Sequence, residues 1–183
     1  MTARRSLMPR LRRLMRRLGV SETGSASVEF VIVVPVFLAI FMSSFESGLL
    51  TLRHAMLERA VDISVRNLRL GLWANPTPEV LRDAICANAV IIPDCQEVLL
   101  LELIPVDMTT WTMPPVAAAC INRDEEIQPL TQFNPGAQNQ VMLVKACAIY
   151  DPIFPFTGIG LQLVRDDGGY AIAASSVFAN EPS

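Results

Sequence analysis

Residues 30–45 have the sequence FVIVVPVFLAIFMSSF, in which no side chain carries a charge. The apolar character continues past Glu46 as far as Leu52. An α-helix rises about 1.5 Å per residue, so roughly 20 residues cross the ~30 Å hydrocarbon core of a bilayer. Residues 28–49 supply that length, and we expect a transmembrane helix with Glu46 near the headgroups at its far end. Pro35 removes one backbone hydrogen bond and predicts a mild kink in this helix.

The charge of the chain changes sign at Gly24. Residues 1–24 contain seven arginines and one acid, Glu22. The whole chain has 15 basic and 18 acidic residues, which leaves eight basic and 17 acidic residues after Gly24, a formal charge of −9. Basic segments beside a transmembrane helix stay in the cytoplasm, which predicts a cytoplasmic N-terminus and an external C-terminal part. Clustered arginine also binds nucleic acid, but that function would not explain an apolar run directly after the cluster.

A cleaved secretory signal peptide is the alternative interpretation of this N-terminus. The apolar core of a signal peptide usually has about 7 to 15 residues and ends at an A-x-A-like site. The apolar run of this chain is longer, and no such site occurs between Ile40 and Leu52. The sequence therefore favours a retained membrane anchor.

Glu29 is an isolated acid at the entrance of the apolar run. An acid in the first turn of a helix is favoured by the helix dipole, and this explanation suffices for most such glutamates. A cut after Gly24 would give the carboxylate a second role, because Ser25 would become an N-terminus with an ammonium group four residues away. The cut would also remove all seven arginines and leave the helix able to pack against other helices. A carboxylate in hydrocarbon is costly without a compensating charge, and the Ser25 ammonium of the same or a neighbouring chain is the nearest candidate.

The segment from Gly24 to Asp62 resembles the N-terminal region of the TadE-like family, which comprises pseudopilins of the tight-adherence (Tad) branch of type IV pilus systems. Members look like G-x-x-x-V-E-F-A-x-x-x-P, followed by an apolar helix, then E-x-G and an alanine-rich helix that contains arginine. The matching positions of this chain are Gly24, Val28, Glu29, Phe30, Pro35, Glu46 and Gly48. Val31 stands where the family commonly has alanine.

This resemblance implies a function, a location and a set of partners. It implies cleavage by a prepilin peptidase between Gly24 and Ser25, with Glu29 and Phe30 needed for recognition or for assembly. The other implied partners are pilin-like subunits, inner-membrane Tad platform proteins and the membrane, without nucleic acid. The implied location is the bacterial inner membrane, with one span and a periplasmic C-terminal domain that becomes extracellular if the subunit enters the pilus. We expect a minor pilin-like subunit or assembly factor with no cofactor and no enzymatic activity.

The apolar helix is predicted to continue beyond the membrane as an amphipathic stalk. Residues 51–73 keep helical spacing, and Gly71 and the NPTP turn at residues 75–78 are predicted to end the helix. The side chains predicted to share its apolar face are Leu52, Ala55, Met56, Ala60, Ile63, Val65 and Leu68. Charged side chains, including Arg53, are predicted to lie largely elsewhere on the helix.

The C-terminal part is predicted to form a small antiparallel sheet against the upper part of the long helix. The sequence predicts a short helix at residues 78–91, strands at 97–106, 140–150 and 169–178, and a long surface loop at 112–138. The predicted class is therefore α+β. The predicted division of the chain is a basic leader at 1–24, a transmembrane and stalk helix at 25–71, and a disulfide-stabilised periplasmic domain at 72–183.

Four cysteines, Cys86, Cys95, Cys120 and Cys147, occur in the part predicted to lie outside the cytoplasm. An even number of cysteines in an oxidising compartment predicts disulfides, and four cysteines allow three connectivities. We favour Cys86 with Cys95, which closes a short loop, and Cys120 with Cys147, which attaches the long loop to a strand. A zinc site is the alternative, but no CxxC spacing supports it.

Other chemistry has little support in the sequence. His54 is the single histidine, with no cysteine nearby on its helix to share a metal. Acid clusters at residues 124–126 and 166–167 are typical of solvated turns, with a calcium site as the alternative. No common catalytic or phosphate-binding motif occurs. The alternative function is a membrane-tethered periplasmic binding or catalytic module unrelated to pili.

Overall fold

The computed structural model describes residues 25–110, 118–156, 158–162 and 169–181. The chain divides into two compact units, the first ending at Met42 and the second beginning at Ser43, and each is described by itself. The predicted leader, residues 1–24, lies outside the described residues.

Helix α1 runs from Ser25 to Arg69 and includes Pro35. It ends in a Schellman motif, in which the N–H of Leu72 donates to the carbonyl of Asn67 and the N–H of Gly71 donates to the carbonyl of Leu68, both at 3.1 Å. Gly71 has a φ of 64°, the left-handed conformation that this motif requires and that glycine adopts without a steric penalty. The predicted stop at Gly71 is therefore explained by its backbone conformation.

In the first unit, α1 exposes large apolar side chains around its whole circumference. They include Val28, Phe30, Val31, Ile32, Val33, Val36, Phe37, Leu38, Ile40 and Phe41. An 18-residue window of α1 has a mean hydropathy of 2.3 and is not buried by the rest of the chain. So much exposed apolar surface is unfavourable in water, and α1 is the one helix in the described part of the chain that is long and apolar enough to span a membrane. These properties suggest a single-pass membrane anchor.

In the second unit, α1 buries part of the predicted face, including Ala60, Val65 and Leu68, together with side chains that were not predicted to be buried. The side chains that it buries are Glu46, Arg53, Leu57, Ala60, Val61, Ser64, Val65 and Leu68, at successive intervals of mostly three or four residues. Leu52 and Ala55, predicted to be buried, are exposed, and Arg53, predicted to be exposed, is buried. The predicted apolar face was wrong at these positions because polar side chains occupy the buried stripe.

Two short helices follow α1 and are joined by a disulfide. Helix α2, Pro78–Asn88, begins at the N-cap Thr77, whose side chain accepts a hydrogen bond from the Val80 N–H. Helix α3, Cys95–Val98, lies where the sequence predicted the start of a strand. Cys95 and Val98 are both buried, and their three-residue spacing places them on one side of a helical turn. Burial of these two side chains explains the helical start.

The sheet has three antiparallel strands in the order β1-β2-β3. They are β1 at Leu99–Pro105, β2 at Val141–Tyr150 and β3 at Tyr170–Ala179. Leu101 and Leu103 of β1 and Ile172 of β3 belong to the same buried cluster as Leu57 and Val61 of α1. The predicted α+β class, with a long apolar helix and a small antiparallel sheet, is confirmed.

The central strand β2 is buried along almost its whole length. Lys145 lies within it, opposite Glu102 of β1, and its Nζ is 3.5 Å from a Glu102 carboxylate oxygen. A buried charge is costly unless it is paired, so Glu102 makes the burial of Lys145 tolerable.

The described part of the predicted surface loop between β1 and β2 is mostly exposed, and one of its residues pairs with β1. In its described part, residues 118–140, Phe133 forms a parallel bridge with Leu103 of β1. Leu103 donates its N–H to the Gln132 carbonyl at 2.8 Å, and the Asn134 N–H donates to the Leu103 carbonyl at 2.9 Å. These bonds cover part of the outer edge of β1.

The structure contains two disulfides, Cys86–Cys95 and Cys120–Cys147. This is the connectivity that the sequence analysis favoured. The first joins α2 to α3, and the second joins the segment after β1 to the buried strand β2.

Candidate functional site

The first candidate site is the start of α1. Glu29 and Phe30 are exposed on this helix, whereas Gly24 lies outside the described residues. Because α1 begins at Ser25, Glu29 is its fifth residue and no acid lies in the first turn. The predicted first-turn position was therefore wrong, and the helix dipole, which acts mainly within that turn, gives Glu29 little support.

Pro35 lies inside α1, and the helix continues through it. Proline has no N–H to donate to the carbonyl four residues earlier, so the carbonyl of Val31 lacks its usual helical partner. The kink expected at this point stays a prediction.

The second candidate site joins α1 to the chain that follows β2. Glu46 is 97% buried, and its carboxylate accepts hydrogen bonds from two consecutive backbone N–H groups. The Ile153 N–H lies 3.2 and 3.1 Å from the two oxygens, and the Phe154 N–H lies 3.1 Å from Oε2. Phe154 also packs edge-on against Phe45, with ring centroids 6.1 Å apart. Glu46 therefore holds the segment after β2 against α1.

Arg53 makes a second contact of this kind, two turns further along α1. Its guanidinium carbon lies 4.4 Å from the centroid of the Tyr150 ring, a cation–π geometry. Tyr150 also packs at 6.1 Å against Tyr170, whose hydroxyl donates to the Gly160 carbonyl at 2.6 Å. Burial raises the pKa of Tyr150, and the nearby Arg53 charge opposes that rise. Tyr150 is therefore neutral, and Arg53 contributes the charge of this contact.

His54 contacts the edge strand of the sheet. Its Nε2 lies 3.1 Å from the Ala173 carbonyl oxygen, a distance at which a protonated Nε2 donates a hydrogen bond. Its Nδ1 is 3.7 Å from a Glu58 carboxylate oxygen. Among the described residues, no group of three or more histidine, cysteine or acidic side chains could hold a metal ion.

The acid cluster at residues 124–126 is exposed, and the one at 166–167 lies outside the described residues. Near the first cluster, Arg123 donates to Asp151 at 2.9 Å and to the Ile149 carbonyl at 2.8 Å. Asp107 accepts hydrogen bonds from the Thr109 hydroxyl and N–H and from the Thr110 hydroxyl, which lowers the pKa of Asp107 to about 2. These acids therefore belong to turns and surface ion pairs.

Comparison with known protein families finds a similarity in the N-terminal part of the chain. Residues 24–66 match a family model described as TadE-like protein. This segment is similar to TadE-like proteins. This TadE-like segment ends within α1. The resemblance that the sequence analysis drew from Gly24, Glu29, Pro35 and Glu46 is thereby confirmed. Neither the curated proteins nor the solved structures yielded a match to the chain.

The TadE-like segment contains one feature that the sequence analysis missed. The sequence analysis treated Glu46 only as a charged residue at the membrane boundary and did not predict that residues 153 and 154 bury it. The seven-residue spacing between Glu46 and Arg53 was the available signal, because residues two turns apart share a helix face.

Proposed function

We propose that this chain is a minor pilin-like subunit (pseudopilin) or assembly factor of a Tad-type type IV pilus or secretion system. It acts through helix packing and contacts between proteins, without catalysis. One observation carries the proposal. The TadE-like match, residues 24–66, lies on a long helix, and the part of that helix in the first unit exposes apolar side chains on every side. Pilin-like subunits assemble through such helices.

Processing is the first step of the proposed mechanism. A prepilin peptidase cuts between Gly24 and Ser25 and removes the seven arginines of residues 1–24. The new ammonium group at Ser25 lies one helical turn from Glu29, a spacing at which side chains and termini interact. A carboxylate in a lipid or helix-bundle environment needs such a partner. The ammonium of the same chain or of a neighbouring subunit therefore neutralises Glu29. If the ammonium comes from a neighbour, this pairing also fixes how the two helices are aligned along their axes.

The proposed topology follows from charge and disulfides. The arginines keep the N-terminus in the cytoplasm, α1 crosses the bacterial inner membrane once, and the C-terminal domain lies in the periplasm. The Cys86–Cys95 and Cys120–Cys147 disulfides support an oxidising compartment. The proposed division is a leader at 1–24, an anchor and stalk at 25–71, and a partner-binding domain at 72–183.

The proposed partners are the prepilin peptidase, other pilin-like subunits and the inner-membrane platform of the Tad system. The apolar helix packs into a bundle with other pilin-like helices, where van der Waals packing replaces contact with lipid. The external domain caps, primes or adapts the fibre. If the subunit enters the fibre, the domain is displayed outside the cell.

The proposal is tested by substitution of Glu29 in cells that depend on this chain for pili. We expect Glu29→Ala to abolish pilus assembly while the protein still accumulates in the membrane, because the carboxylate that pairs with the ammonium is gone. Glu29→Asp keeps the charge and retains part of the function. The matched control is Glu58→Ala, which removes an exposed carboxylate from the same helix and leaves pili normal. Wild-type pilus numbers in Glu29→Ala would contradict the proposal.

A further inference from the structure

Residues 152–156, with the sequence PIFPF, form an apolar loop that contains no charged side chain. Within it, Ile153 is 49% exposed and Phe156 is 85% exposed. Large apolar side chains displayed together at a surface indicate a contact with a partner or a membrane. The position at which the loop is attached to α1 indicates which of these it contacts.

The apolar loop is held in a fixed conformation rather than left free. Glu46 binds the backbone N–H groups of Ile153 and Phe154, and the Phe154 ring packs on Phe45. Pro152 and Pro155 each fix one backbone torsion. The exposed side chains are therefore displayed at little further cost in conformational entropy, as a binding element requires.

The point of attachment lies where the apolar run ends. Phe45 is the last residue of the uncharged run that begins at Phe30, and Glu46 is the first charged residue after it. Phe45 is itself half exposed. If α1 spans a membrane, this position lies at the boundary between acyl chains and headgroups, the depth at which interfacial elements bury apolar side chains such as Phe and Leu.

We infer that the apolar loop is a second membrane-binding element, which inserts Ile153 and Phe156 into the interfacial layer of the leaflet on the side of the C-terminal domain. The inference rests on the proposed membrane placement of α1 but not on a role in pili. An apolar surface laid into the interface gains by leaving water, and a second attachment beside the helix limits how far the domain can tilt. The loop thereby sets the orientation in which the domain meets its partners.

The test measures contact with lipid in the full-length protein reconstituted into phosphatidylcholine liposomes. Single tryptophans are introduced as Phe156→Trp and, as a matched control, Leu130→Trp at a position on the same unit that is 100% exposed. Phe37→Trp, in the apolar run of α1, reports on the membrane placement itself. Each variant is compared with the parent protein in liposomes with and without brominated phospholipid, which quenches only tryptophans in contact with lipid.

We expect brominated lipid to reduce the added emission of Phe156→Trp and Phe37→Trp, and to leave that of Leu130→Trp at the parent level. If Phe37→Trp is quenched and Phe156→Trp is not, the membrane placement holds and the second contact is overturned. If Phe37→Trp is also unquenched, both fail. Photo-crosslinking of position 156 to another pilin-like subunit, without lipid quenching, would assign the loop to a neighbouring helix and would likewise overturn the inference.

Discussion

At the scale of single residues, α1 buries two opposite charges that act on the same neighbouring segment. Glu46 and Arg53 lie seven residues apart on one helix face, and each contacts the chain at the end of β2. Glu46 uses its carboxylate to satisfy two backbone N–H groups, and Arg53 places its guanidinium over the Tyr150 ring. Hydrogen bonds to a charged acceptor are stronger than neutral ones, so Glu46 is the stronger of the two attachments.

Glu46→Ala is therefore expected to destabilise the second unit by roughly 1–3 kcal/mol, the cost of leaving buried donors without an acceptor. Glu46→Gln keeps one carbonyl oxygen and should lose less. The measurement is amide hydrogen exchange at Ile153 and Phe154 together with denaturant unfolding of the full chain. Glu58→Ala, an exposed acid on the same helix, serves as the control and should change neither. Unchanged exchange at both amides in Glu46→Ala would show that the carboxylate does not hold this segment.

At the scale of elements, the two parts of α1 differ in their surfaces, and a single pattern of apolar residues does not describe both. In the first unit, α1 is apolar on all sides. Its length and its similarity to a membrane-spanning helix could therefore be predicted from the sequence. In the second unit the buried stripe contains Glu46, Arg53 and Ser64. A search for an apolar face therefore found its later members, such as Val65 and Leu68, and was wrong at Leu52 and Ala55. The polar members are buried through contacts made by distant residues, and no local pattern encodes those contacts.

Two glycines of α1 and its C-terminal end, Gly48 and Gly71, have open space around them but different backbone conformations, and they give opposite predictions. A Cβ at Gly48 would meet nothing within 4 Å, and the backbone there is helical. Gly48→Ala is expected to raise the free energy of unfolding by about 1 kcal/mol, because glycine is a poor helix former.

Gly71 has a positive φ of 64° at the end of α1. Gly71→Ala is expected to lower the free energy of unfolding by about 1–2 kcal/mol, because an L-residue is strained in this conformation. Thermal or denaturant unfolding of the two variants in the same detergent compares them directly. Equal effects, or a loss of stability in Gly48→Ala, would contradict the backbone conformations on which these predictions rest.

The strands of the sheet could be predicted from local sequence, but two features next to them could not. The three strands were predicted within about two residues of their observed bounds, because their β-branched and apolar runs are separated by turn formers. The helical start at Cys95–Val98 and the bridge at Phe133 were missed. The helix depends on burial of Cys95 and Val98, and the bridge depends on the free edge of β1. Both conditions arise only once the sheet has formed.

At the scale of the whole molecule, the second unit, residues 43–183, has one small hydrophobic core. A single small core supplies limited stability, so covalent closures matter more than they would in a larger domain. The two disulfides join residues 9 and 27 positions apart in sequence. They restrict the unfolded chain to different extents, because the entropy of loop closure grows with loop length.

The contribution of each disulfide to stability can be measured by replacing both of its cysteines with serine. Loss of Cys120–Cys147 is expected to cost roughly 1 kcal/mol more than loss of Cys86–Cys95, in proportion to the logarithm of the loop lengths. Denaturant unfolding of the two double variants and of the parent protein, under non-reducing conditions, gives the comparison. A larger loss from the shorter closure would contradict this ordering.

The N-terminus of the mature protein tests the central claim most directly. Mass spectrometry of the native protein, purified from cells that make pili, is expected to find a chain that starts at Ser25 and lacks all seven arginines of the leader. A Gly24→Leu variant from the same cells is the control and should keep the leader. A native chain that still starts at Met1 in piliated cells would contradict the account, because Glu29 would then have no ammonium partner at Ser25.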